Sequence, residues 1–435
     1  VKKNKNQKGK LGLKELIAIG VGGMVGGGIF SVLGLSVSIS GHAAPIAFSI
    51  GGIIAFLTGL SYAKLGVRFG GDGGSFTYLE KAFKGKNIAG ISGWLLLTGY
   101  IGTLALYSYT FGVYGTAVLG GEVFVSATHH ILESFILLIF LGVNLYGVHA
   151  AGETEDLIVI IKVLILGLFA AAGFMFIKPD HLFPVFNKGI NGTLMGAALI
   201  FVAYEGFELI PNAINEMKNP EKDLGKAIIL AVIITAVIYF AVSIVAVGNL
   251  SPQDINKFKE YALAVAAKPF LGKAGFTLIG LGALLSTASA INATLFGTAR
   301  LGMVMAKERD LPKVFSHRER TKNIPFLSLI IITALSLLFV NTTDLTIISS
   351  FASSTFLLTF VGINITAIKL RQVINMHFII PFLGLLMSSL SWITLIIYLV
   401  QSNPHALMWI GGFYLAVIVA EILFSERGLI FKRTA

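Results

Sequence analysis

The strongest constraint on this chain is the stretch Gly20-Val21-Gly22-Gly23-Met24-Val25-Gly26-Gly27-Gly28-Ile29-Phe30, set in a run without formal charge from Leu16 to Ala63. It packs six glycines into nine residues, and each glycine is about 1 kcal/mol less favourable in a helix than alanine. An unbroken helix is therefore not expected. At membrane depth, irregular backbone survives only where protein or a water-filled cavity surrounds it, so the freed N–H and C=O groups become candidate ligand contacts. The competing reading is a small-residue face for close helix packing. Such a face needs a spacing of about four, whereas Gly26, Gly27 and Gly28 are consecutive.

With 55% hydrophobic and 13% charged residues among 435, the chain is expected to be an all-α integral membrane protein. Stretches of about 20 apolar residues suffice to cross. Twelve are read, near 13–38, 44–66, 88–119, 130–149, 156–177, 192–215, 226–249, 272–305, 325–341, 345–369, 377–400 and 404–424. The net charge of +11 does not point to nucleic acid. With both termini cytoplasmic, 26 of the 33 Lys and Arg lie on cytoplasmic segments and 6 on external ones, as the positive-inside rule requires. The acidic connection Ala150 to Asp156 does not support that orientation, although acidic residues count for little in the rule. The basic start (Lys2, Lys3, Lys5, Lys8, Lys10) leads into a segment too long for a signal-peptide core, so the first span is expected to remain. There is no cysteine, which excludes thiol chemistry and disulfides. The adjacent His129-His130 is read as part of an external loop, and neither a metal site nor a cofactor is expected.

Four further stretches carry chemistry. Gly70-Gly71-Asp72-Gly73-Gly74-Ser75 lacks the following GK[ST] of a phosphate loop and reads as a flexible cytoplasmic turn. Span three carries Tyr100, Tyr107, Tyr109 and Tyr114 with Thr98 and Thr103; tyrosines at depth need hydrogen-bond partners, whereas those near the ends can be interface anchors. Lys162 lies about 8 Å inside span five, where it either snorkels to the headgroups or is a buried amine that gains and loses a proton. Span six contains Phe201-Val202-Ala203-Tyr204-Glu205-Gly206-Phe207-Glu208-Leu209-Ile210-Pro211. Ionisable groups at that depth each cost at least ~2.5 kcal/mol and usually face a cavity. Glu205 and Glu208 share a face if the helix continues, and a break at Gly206 parts them; one of them serving only as a structural carboxylate is the plainer reading. In span eight, Ser286, Ser289 and Asn292 serve either a cation or helix packing. From Ile324 onward the sequence is apolar and suggests no chemistry. Two interrupted spans five apart point to an inverted-repeat transporter with its site between them.

These residues resemble the amino acid, polyamine and organocation (APC) transporter superfamily, and within it the archaeal proton-coupled amino acid transporters of broad specificity. The likeness rests on G-V-G-G-M-V-G-G-G-I-F at 20–30, on L-S-Y-A-K-L-G and G-G-S-F-T-Y at 60–78, on Y-E-G-F-E and E-M-K-N-P at 204–220, and on A-R-L-G-M-V-M-A-K-E-R-D-L-P at 299–312. It implies a five-plus-five inverted repeat of the LeuT type with discontinuous helices one and six. The parts would be a tail at 1–12, repeats at 13–178 and 190–371, two added helices at 376–425 and a tail at 426–435. It further implies that Gly26, Gly27 and Gly28 hold the substrate carboxylate. Carbonyls around Met24 and Phe201 to Tyr204 would hold its ammonium, Tyr204 would occlude it, and Thr98, Gly99 and Thr103 would face it. By the same likeness Lys162 stands in for a sodium ion and reaches Gly22, Ser289 first and Ser286 second. Gly225 replaces a usual proline, and Lys307-Glu308-Arg309-Asp310 departs from the usual A-R-D-G. Glu205 and Glu208 depart at the site itself and leave room for a cationic side chain, a diamine or a second proton carrier. The expected function is proton-coupled amino acid transport by alternating access in the cell membrane. The alternative is an importer or exchanger of cationic amino acids or polyamines with Glu205 or Glu208 as counter-charge. An intramembrane enzyme is not expected, for want of a nucleophile–base or metal constellation, nor is a receptor, for want of a soluble output domain.

Overall fold

The computed structural model describes residues 11–70, 73–83, 86–120, 125–146, 152–308, 311–317 and 324–424. Most of the two expected tails, Gly71-Asp72, Ala150-Ala151 of the acidic connection and Arg309-Asp310 lie outside them. The described chain is helical throughout: α1 (Leu13–Met24), α2 (Gly27–Ser40), α3 (Ala44–Phe69), α4 (Gly74–Ala82), α5 (Lys86–Val118), α6 (Val125–Tyr146), α7 (Gly152–Phe174), α8 (Gly189–Leu199), α9 (Pro220–Asn249), α10 (Pro252–Phe258), α11 (Ala262–Lys307), α12 (Phe326–Thr342), α13 (Leu345–Lys369), α14 (Ile379–Ser402) and α15 (Pro404–Phe424). Among the described residues ten helical stretches are long and apolar enough to cross a membrane, and α12 is a shorter apolar helix. One of the ten, Gly27–Phe69, reverses at Gly41, whose φ is 61°. Another, Lys259–Lys307, bends at Gly272, also at φ 61°.

Periodicity on α7 shows how the bundle sorts its faces. Leu157, Ile160, Leu164 and Leu168 are each at least half exposed, while Val159, Lys162, Leu166 and Phe169 are buried. The spacing of three and four places these sets on opposite sides of one helix, apolar outward and Lys162 inward. Headgroup snorkelling is thereby ruled out for Lys162, whose side chain is 0% exposed.

Both interruptions are present. The first span stops at Met24 and restarts at Gly27, with Val25 and Gly26 between them in non-helical backbone. In the second, α8 tightens into a 3-10 segment at Ile200–Tyr204, Glu205 is extended, and Gly206 takes φ 128° before a second 3-10 segment at Phe207–Glu216. The breaks touch. A Cβ on Gly206 would lie 2.5 Å from Gly23 C and Met24 N, and one on Gly28 would lie 2.7 Å from Ala203 Cα. Around them, α1 packs on α9 and α7, α2 on α8 and α11, and α5 along α11 and α13.

Two expectations change here. From Gly74 the glycine-rich stretch is helix α4, with Phe76 and Tyr78 buried, rather than a flexible turn; its aromatic face finds a core between α5 and α13. His129 and His130 lie on α6 rather than in a loop. Glu133, one turn on and fully buried, sits 3.0 Å from His129 Nε2 and 2.6 Å from His130 Nδ1, so the three polar groups gather on one helix face. Beside them Tyr109 donates to Glu260 Oε1 at 2.8 Å, and the Lys259 carbonyl crosses Gly34 of α2 so closely that a Cβ there would lie 1.9 Å from it.

Substituting Gly206 by alanine combines a forbidden φ with a backbone clash and is expected to cost about 3 kcal/mol or more. Gly142→Ala, on α6 with nothing within 4 Å of its Cβ, serves as the control that does not destabilise. Thermal melts of the two purified variants should differ by many degrees, and equal midpoints would refute the contact.

Candidate substrate and coupling site

A helix that ends in a membrane leaves its last carbonyls without partners, and each must find another donor. At the end of α1 every one does. Val21 O accepts from Val25 N at 2.8 Å. Gly22 O accepts from Lys162 Nζ at 2.7 Å, Gly23 O from the Tyr107 hydroxyl at 3.3 Å, and Met24 O from the Tyr239 hydroxyl at 2.6 Å. Lys162 reaches so far because α1 and α7 meet at Gly22, where a Cβ would lie 2.8 Å from Val159 Cγ2. The amine also meets the partial negative charge of the helix end. Beyond the break, α2 begins at Gly27 with no side-chain cap, and the Tyr107 ring covers Gly26 and Gly27.

The second break is fastened by different groups. Ala203 O lies 2.9 Å from the Tyr239 hydroxyl, and Val202 N donates to Ser353 Oγ at 3.0 Å, whose own hydroxyl donates to Leu199 O at 2.5 Å. Ser353 belongs to α13, which also buries Ser349, Ser350, Ser354 and Thr355, so the C-terminal part of the chain is not merely apolar. The break at Gly206 parts the two acids along the chain. Thr103 donates to Glu205 Oε2, while Glu208 turns back to accept from Gly206 N at 2.8 Å and from the Tyr100 hydroxyl at 3.4 Å. Among the described residues neither acid forms an ion pair. Glu208 also borders a small polar cavity with Ser75, Tyr100 and Asn212, where Asn212 Oδ1 is buried without a hydrogen-bond partner among the described residues.

Of the residues singled out in the sequence, Gly22, Met24, Gly26, Gly27, Gly28, Thr103, Lys162, Glu205 and Glu208 come together around the breaks. Others do not. The Thr98 hydroxyl bonds to Trp94 O and Leu95 O of its own helix. Tyr204 lies on Gly51 and Gly52 of α3 and donates to Phe48 O at 2.7 Å, so it buttresses Tyr239 instead of lying over Gly26 to Gly28. The ring of Phe201 packs edge-on against Phe360, whereas the expectation for it concerned its backbone carbonyl. Ser289 is half-buried, and Ser286 Oγ is buried with no hydrogen-bond partner among the described residues, so of the contacts expected of Lys162 the bond to Gly22 O is present and that to Ser286 is not. Sequence reasoning passed over Tyr239 and Ser353. The signal for Tyr239 was a hydroxyl in the otherwise apolar run from Ala227 to Val247, interrupted only by Thr235 and Ser243.

With this geometry in place, comparison with known proteins is decisive. A family model described as amino acid permease matches residues 11–422. The chain belongs to the amino acid permease family of the APC superfamily. It is 33% identical over 435 residues to an uncharacterized protein of Methanocaldococcus jannaschii, covering 98% of this chain and 97% of that one. It is similar to an inner membrane transport protein of Escherichia coli, with 31% identity over 95% and 96% of the two chains. A branched-chain amino acid permease of Bacillus subtilis is 27% identical over 85% and 82%. This permease is thus a multi-pass membrane transporter of the amino acid class and not an enzyme.

Within it, Thr103 keeps the buried Glu205 carboxylate hydrogen-bonded. Thr103→Val should lower stability by roughly 1–3 kcal/mol, the cost of a buried acceptor losing its donor, and Thr103→Ser should restore most of it. Denaturation of both variants in detergent tests this, and equal stability of the Val and Ser forms would contradict it.

Proposed function

We propose that this permease carries amino acids coupled to protons by alternating access, with the bond from Lys162 to the Gly22 carbonyl as the coupling element. A protonated amine there ties α7 to the end of α1 by charge as well as by hydrogen bond; loss of the proton removes the charge and loosens the tie. The substrate carboxylate would lie against the N–H groups of Gly26, Gly27 and Gly28 at the start of α2, where backbone donors and the helix dipole favour an anion. Its ammonium would face the carbonyls around Met24 and Phe201 to Tyr204, with Thr103 alongside and Thr98 further out. Coupling is energetically adequate: one charge across ~100 mV supplies about 2.3 kcal/mol, and one pH unit about 1.4 kcal/mol.

The architecture we assign counts α1 with α2 as one crossing and α8 with its two 3-10 segments as another. With α3, α5, α6, α7, α9, α11, α12, α13, α14 and α15, this makes twelve. Residues 13–178 and 190–371 form the two inverted repeats, 376–425 the added pair, and both termini are cytoplasmic. One observation favours a second substrate class. Two buried carboxylates with no ion-pair partner among the described residues offer a counter-charge, so cationic amino acids or polyamines fit beside neutral ones.

In proteoliposomes with an imposed pH gradient, Lys162→Ala should abolish pH-driven uptake of labelled alanine; undiminished uptake with the same pH dependence would refute the coupling role. Competition by arginine and putrescine reads out the second class. Strong inhibition that disappears in Glu205→Gln or Glu208→Gln supports it, and no inhibition excludes it.

A further inference from the structure

The two breaks orphan two particular carbonyls. In continuous helices Met24 O would accept from Gly28 N and Ala203 O from Phe207 N, but both donors lie in the first turn of new segments here. One side chain stands between the two oxygens. Tyr239 of α9 lies with its hydroxyl 2.6 Å from Met24 O and 2.9 Å from Ala203 O. Its ring is fully buried, edge-on to Phe48 at 5.7 Å and to Tyr204 at 5.1 Å, so the hydroxyl is aimed and not free to wander.

A phenol has one proton and can fully satisfy only one of the two carbonyls at a time. The other is left with an acceptor lone pair directed at the same point, in a place where an unfilled acceptor is costly. A group with two or more N–H donors at that point would satisfy both oxygens at once. A primary ammonium is such a group, and carries charge toward a helix C-terminal end.

We propose that Tyr239 is a placeholder: its hydroxyl occupies the amine position of the empty carrier, and the substrate ammonium displaces it. The idea rests on the substrate site assigned above and makes Tyr239 a determinant of affinity. It has a sign that a structural role lacks. A hydroxyl needed only for packing would, when removed, weaken the protein with and without substrate alike. A placeholder, when removed, leaves both carbonyls bare in the empty carrier only, so the empty state is destabilised and substrate binds more tightly.

The test is Tyr239→Phe, which keeps the ring and removes the hydroxyl. In proteoliposomes the KM for alanine is expected to fall by about five- to tenfold, the worth of one net hydrogen bond. Maximal rate should fall with it, as release slows. In detergent, the variant should melt lower than wild type without alanine and gain more from saturating alanine. A raised KM, or an equal alanine-induced gain in both proteins, would overturn the proposal. Should the variant fail to fold, wild type alone decides by competition with methylated alanines. N-methylalanine keeps two N–H donors and should compete, whereas N,N-dimethylalanine keeps one and should not. Competition by the dimethyl compound within about twofold of alanine would overturn the placeholder, because one donor cannot serve two carbonyls. Alanine that neither enters vesicles nor stabilises wild type would bring down the site reading itself, and the placeholder with it.

Discussion

The hydrocarbon interior gives a broken helix no water to fall back on, and the whole centre of this permease is arranged around that fact. Four carbonyls at the end of α1 are met by four different donors: one backbone amide, one amine and two phenols. These donors come from α7, α5 and α9 as well as from Val25 in the break, so the accounting of one helix end fixes the mutual placement of four elements, α1 among them. Packing follows from this as much as it causes it, since Gly22 permits the approach of α7 over which the Lys162 bond forms, and Gly23 and Gly28 permit the two breaks to touch.

The acids obey the same economy with a different currency of partners. Glu208 turns back on the amide that its own break sets free, and Glu205 takes a hydroxyl from the neighbouring α5. A break therefore supplies part of what is needed to keep a carboxylate in the bundle, and the carboxylate in return satisfies a donor that the break exposes. Remove the break and both groups become expensive.

Much of this was legible in the sequence, for local reasons. Consecutive glycines at 26–28 and the combination of Gly206 with two acids announce backbone that cannot be regular helix. The facing of Lys162 was not legible, because both sides of α7 are equally apolar and only the burial of its side chain shows that it points inward. What could not be read depends on contacts between residues far apart in the chain. Tyr239 lies 36 residues from Ala203 and 215 from Met24, and Ser353 lies 151 residues from Val202. Nothing near either side chain in the sequence marks its target. His129-His130 misled for the opposite reason: two polar residues beside a span look like loop until Glu133, on the same helical face, is seen to accommodate them.

The crossing of Gly34 by the Lys259 carbonyl has a mechanical corollary. With no clearance for even a methyl group between them, the short 259–261 segment lies on α2 as a rider rather than as an independent flap, and Tyr109 holds its other side through Glu260. Any tilt of α2 must either carry that rider along and stretch its tether to α5, or shear the two surfaces apart. The 259–261 segment is thus geared to the half-helix α2 that begins at the first break.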